Sequence, residues 1–171
     1  VLFAALSALC YGAADYAGGR ATRQSPVFAV LMLSQAAGLA GIVVAALLAP
    51  AAVIRASDLL WGAAAGAAGV IGLSLLYRAL ATSVAAVASP SAALVGAAAP
   101  VLTGALMGEQ PGLTGWIGIG LAIPAVLLLT VERGGRRSGS RSALILGMLA
   151  GLGFGGFYIL ISQTASDSGL W

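Results

Sequence analysis

Histidine and lysine are absent from this sequence, cysteine occurs once, and charged residues make up only 8% of it. Each shortage excludes something. Without histidine there is no Cys–His pair for nucleophilic catalysis, and no predicted helix carries two carboxylates for acid–base work. Without lysine there is no Gly-x-x-x-x-Gly-Lys-Ser/Thr loop to cradle a nucleotide's phosphates, so gradients are the expected energy source for any transport. Cys10, alone in an apolar run, permits neither an intramolecular disulfide nor a cysteine-based metal site. Eight arginines and five acids leave a net charge of +3, scattered along the chain and lacking the basic patch of a nucleic-acid binder. No catalytic residue, metal or cofactor is expected.

What remains is apolar: 60% of the residues are hydrophobic and the mean hydropathy is +1.05. A soluble domain of this length needs far more charge to cover its surface. A membrane helix needs about 20 mostly apolar residues to cross a hydrocarbon layer roughly 30 Å thick. Six segments meet that requirement: Val1 to about Gly19, about Pro26 to Ala49, Leu59 to Tyr77, Val84 to Met107, Leu113 to Val131 and Ala143 to Ser162. Pro26 suits the first turn of its helix, where a missing N–H is harmless. Pro50 and Ser57-Asp58 read as ordinary stop and start signals. The chain begins at Val1 and breaks off at Gly169-Leu170-Trp171, so it is read as a fragment of a longer protein.

The spans are rich in small residues. Gly62 and Gly66, and again Gly147 and Gly151, are four apart, the spacing that lets helix backbones approach closely. Glycines in nearly every span argue for a compact bundle. A weak internal repeat is also present. At an offset of 143, Tyr11-Gly12 at the heart of the first span meets Phe154-Gly155 in the sixth. A unit of five spans would therefore restart at the sixth, and an odd-numbered unit re-enters the membrane inverted.

The stretch from Leu75-Leu76-Tyr77-Arg78-Ala79-Leu80 to Ser89, then Ala99-Pro100-Val101 and Gly108-Glu109-Gln110-Pro111 before a fifth span, resembles the EamA repeat of the drug/metabolite transporter superfamily. Tyr11-Gly12-Ala13-Ala14-Asp15 stands where that repeat has an aromatic-Gly motif. Two departures stand out: Pro100 to Gly108 is about a helical turn short, and Asp15 replaces an uncharged residue. The resemblance implies an all-α membrane protein, a multi-span helical bundle with one five-helix EamA repeat (residues 1–131), an inter-repeat linker (132–142) and the start of an inverted second repeat (143–171, span six). It further implies a ten-span carrier with a central cavity, moving small metabolites, amino acids, sugars or drugs, in many relatives as an exporter. The alternative reading is a non-transporting membrane scaffold or assembly subunit.

Polar groups inside hydrocarbon need a reason to be there. Asp15 lies five residues before Arg20, roughly 7–8 Å along the axis. Either it faces a cavity, binding a cationic group or a coupling proton, or it pairs with Arg20 or Arg23. Tyr11 and Tyr16 flank it, as cavity lining or as interface belts. Gln35, beside Ser34, contacts solute or bonds a neighbouring helix. Pro90 and Pro100 each remove a backbone bond from the fourth helix, and Ser89 and Ser91 are placed to satisfy freed carbonyls. That helix either bends along the transport path or is kinked for packing. Gly108 and Glu109 form a turn, with Glu109 able to accept helix-start N–H bonds.

The loops after spans one, three and five hold Arg20, Arg23, Arg78, Arg133, Arg136, Arg137 and Arg141, and the opposite loops hold only Arg55. The positive-inside rule makes the first set cytoplasmic, whereas the EamA arrangement implies the reverse, so orientation stays open. Expected partners are membrane lipid and a small-molecule solute, with no nucleic acid and a homodimer left open. The expected location is the cytoplasmic membrane of a prokaryote.

Overall fold

The computed structural model describes residues 2–48, 53, 55–81, 85–108, 112–113, 115–118, 120–121, 124, 140–165 and 167. Among them the regular structure is helical throughout, with no strand. Five long helices follow in order: α1 (Leu2–Ala21), α2 (Val27–Leu48), α3 (Ala56–Leu80), α4 (Ala85–Leu106) and α5 (Ser140–Ile161). By length and apolarity α2, α3, α4 and α5 can each cross a membrane. α1 has 20 residues and carries Asp15 and Arg20, which make it the least apolar of the five. Glu109 and much of the fifth expected span, Leu113 to Val131, lie outside the described residues. α5 begins at Ser140, earlier than the Ala143 expected, so Ser140, Arg141 and Ser142 belong to the helix and not to the linker. A polar first turn is favourable there because its free N–H groups need water.

α5 is the central element. It runs antiparallel to α3: Asp58 at the start of α3 meets Ala165 beyond the end of α5, while Gly69 faces Phe157 and Gly72 faces Phe154. It runs parallel to α4, with Gly147, Gly151 and Gly155 set against Ala88, Ala92 and Ala99 in turn. Leu106 and Ser140 therefore lie at opposite ends of the bundle, the arrangement that an intervening fifth span requires.

Small residues make this packing close. A methyl added at Gly147 would lie 2.5 Å from the Ala88 carbonyl oxygen, and one at Gly151 would lie 2.6 Å from that of Ala92. Ala88 and Ala150 are completely buried. Gly62 and Gly66, in contrast, have nothing near them among the described residues. The stripe of α3 that is buried carries Ala65, Gly72, Leu76 and Ala79. Gly62 and Gly66 stand about 60° and 100° off it at 3.6 residues per turn.

The first two helices attach at one end. Gly18 and Gly19 abut Tyr77 and Leu80, and Leu31 of α2 joins Leu76, Tyr77 and Leu80 in the core. The Thr22 hydroxyl bonds the carbonyls of Gly18 and Gly19, each at 3.0 Å, with that of Tyr77 at 3.4 Å, and Arg23 donates to the Leu80 carbonyl at 3.3 Å. The remaining length of these two helices exposes leucines such as Leu6, Leu9, Leu33 and Leu47, a surface suited to lipid. At the opposite end Arg55 grips Asp167 through two hydrogen bonds, 2.5 and 2.8 Å, and stands 3.8 Å from Asp58. The Ala165 N–H donates to Asp58 at 3.1 Å.

Candidate functional site

α1 packs on α3 near Gly18 and Gly19, and its earlier turns leave room in front of α4 and α5. A cavity of about 520 Å³ lies there, walled by α1, α3, α4 and α5. α1 contributes Tyr11 and Asp15, and α3 contributes Leu73 and Leu76. α4 supplies Ser89, Pro100 and a floor of small residues, Ala92, Ala93, Gly96 and Ala97. Phe154 and Tyr158 of α5 close the far wall. Among the described residues the lining is apolar apart from one carboxylate and three hydroxyl groups.

Helical geometry decides which residues reach it. Asp15 follows Tyr11 by four residues and sits about 40° round the helix from it, whereas Tyr16, at five, sits about 140° away. Tyr11 and Asp15 line the cavity; Tyr16 is not part of the lining and is 72% exposed. The same geometry separates the serines, since two residues turn the helix by about 160°. Ser89 faces the cavity, while Ser91 is buried with its hydroxyl on the Val87 carbonyl at 2.6 Å. Pro100 lines the cavity and Pro90 does not. Gln35 is exposed on α2, which contributes nothing to the lining.

Asp15 is half-buried and, among the described residues, pairs with neither Arg20 nor Arg23. Arg23 reaches the Leu80 carbonyl instead. The Tyr77 hydroxyl stands within electrostatic reach of the Asp15 carboxylate, and Tyr158 within reach of Tyr11. Gly108, in the turn after α4, takes a φ of +91°, a left-handed conformation that a side chain disfavours. No group of three or more metal-ligating side chains occurs among the described residues.

Tyr158 and Phe154 were not foreseen as lining residues. The signal was present: the offset that pairs Tyr11 with Phe154 aligns two aromatics that both face this cavity. A family model described as the EamA-like transporter family matches residues 1–131. No curated protein and no solved structure matches the chain.

Proposed function

The chain belongs to the EamA-like transporter family, integral membrane transporters of the drug/metabolite superfamily, and on that premise we propose that it is a secondary active carrier. In this reading it exports small metabolites, amino acids or drugs across the cytoplasmic membrane of a prokaryote by alternating access. The observation that carries the reading is the cavity: about 520 Å³ of space between four helices, within the size range of small-molecule sites. Its walls are apolar, as a solute's organic body requires, and its few polar groups come from three helices that can orient it. A scaffold or assembly subunit would gain nothing from such a void, since unfilled space forfeits packing.

The reading also gives the bundle a division of labour. α3, α4 and α5 are fastened by close backbone contact, whereas α1 and α2 join the described core near Tyr77 and Leu80. Relative movement of these two parts would open and close the cavity without disturbing the glycine seams.

The test is to fill the space. Ala97 lines the cavity and is exposed, so Ala97→Trp puts an indole into it. A strain lacking its own exporters, expressing the wild type, should accumulate less of at least one labelled amino acid, metabolite or drug than cells expressing Ala97→Trp at equal membrane abundance. Equal accumulation of every solute in the two strains sinks the carrier reading.

A further inference from the structure

Asp15 is the one charged group among the described residues that wall the cavity. A carboxylate withdrawn from water costs several kcal/mol unless a partner offsets the loss, and the two arginines nearest in sequence do not supply one. The same cavity is lined by three aromatic residues, Tyr11, Phe154 and Tyr158. Ring faces attract cations and repel anions. The wall therefore combines a carboxylate without an arginine partner among the described residues, aromatic rings and an apolar floor.

From this we infer that the solute is a monovalent organic cation with an apolar or aromatic body, exchanged for a proton at Asp15. The inference rests on the carrier reading and specifies its substrate class. The cation and the proton compete for a single carboxylate: the proton bonds to an Asp15 oxygen as the cation leaves, and departs when the next cation arrives. One positive charge moves each way, so the exchange is one for one and electroneutral. The groups around Asp15 that could complicate its titration are tyrosines: Tyr11 on α1, Tyr77 on α3 and Tyr158 on α5. α4 faces the cavity with Ser89 and no titratable side chain. Asp15 is the one carboxylate among the described residues of the wall, which makes it the exchange group.

The experiment uses two probes of one shape and opposite charge, tetraphenylphosphonium and tetraphenylborate, with the purified protein in detergent. Tetraphenylphosphonium should bind, release up to one proton per cation, and weaken as the pH falls through the titration of Asp15. Asp15→Asn should weaken it by about tenfold or more, the scale of a charge-assisted contact, and Asp15→Glu should retain it. Tetraphenylborate should not compete. The proton count is read on the wild type, so the test survives a misfolded Asp15→Asn. Binding that Ala97→Trp abolishes but Asp15→Asn leaves unchanged overturns the cation inference and keeps the cavity reading. Binding indifferent to both variants, or none by the wild type, overturns the inference and removes this support for the cavity as the solute path.

Discussion

Gly153 of α5 lies directly against Gly72 of α3: a methyl on Gly153 would stand 2.6 Å from the Gly72 Cα and 2.9 Å from the Ala68 carbonyl oxygen. Both obstacles are backbone, which cannot swing aside as a side-chain tip can. Gly153→Ala should therefore destabilise the bundle by about 1–3 kcal/mol, despite the better helix propensity of alanine. Gly66→Ala, which meets open space, should instead raise stability by up to about 1 kcal/mol. Unfolding of the two variants in mixed micelles makes the comparison. Equal behaviour of the pair would refute a close crossing of α3 and α5.

The Arg55–Asp167 pair predicts a dependence on pH and salt. The hydrogen bond from Arg55 holds the Asp167 carboxyl below its ordinary value of 3.8. A lowered folded-state value means that the contribution is complete above the ordinary value and shrinks as the pH falls below 3.8 towards the lowered one. Asp167→Asn should thus lower stability slightly at pH 6 and low salt, and converge with the wild type in acid or at high ionic strength, because both partners are exposed. Arg55→Ala should cost more. It also takes the nearby positive charge from Asp58, one of whose buried oxygens has no hydrogen-bond partner, and salt should not erase that part.

How much of this was legible beforehand depended on whether the question concerned the length of a segment or the direction a side chain takes. Runs such as Val27–Leu48 announce themselves, because the hydrocarbon thickness fixes a helix length that the composition fills. Asp15 stood out for the opposite reason, as a charge inside such a run. Polarity within a span marks Tyr16, Gln35 and Ser91 as candidates too, although the helical rotation already sets Tyr16 and Ser91 apart from Tyr11 and Ser89. The absence of Gln35 from the lining was not legible, since it follows from how α2 attaches to α3 near Leu31. The glycine spacings carried the same ambiguity: Gly147 and Gly151 meet α4 and Gly62 and Gly66 meet nothing described, a difference set by helix rotation.

Pro100 joins the backbone of α4 to the cavity wall. Its ring denies the Gly96 carbonyl the usual helical N–H partner. Three residues on, the Thr103 hydroxyl bonds the Ala99 carbonyl at 2.9 Å, a further softening of the regular ladder. Pro100→Ala should restore the missing bond and raise thermal stability, by less than the roughly 3 kcal/mol that proline costs in an unadapted helix. Turnover should fall while solute affinity holds, because a stiffer α4 resists the change between inward and outward forms. A transport assay that separates maximal rate from half-saturation reads this directly, and an unaltered rate would reduce the proline to a packing kink.

Gly18 and Tyr77 form the joint by which α1 hangs on α3. A methyl on Gly18 would overlap the phenol ring of Tyr77, which is 5% exposed. Beside them the Thr22 hydroxyl reaches the Tyr77 carbonyl at 3.4 Å. Gly18→Ala should push the ring out of the core and loosen α1, at a cost of about 1–3 kcal/mol. Tyr77→Leu alone should also destabilise, since it removes buried aromatic area. The double variant should cost less than the sum, because leucine leaves room for the methyl, and the coupling between contacting residues is expected at about 0.5–3 kcal/mol. Additive effects would mean that the two residues do not touch, and α1 would then be held by something other than this joint.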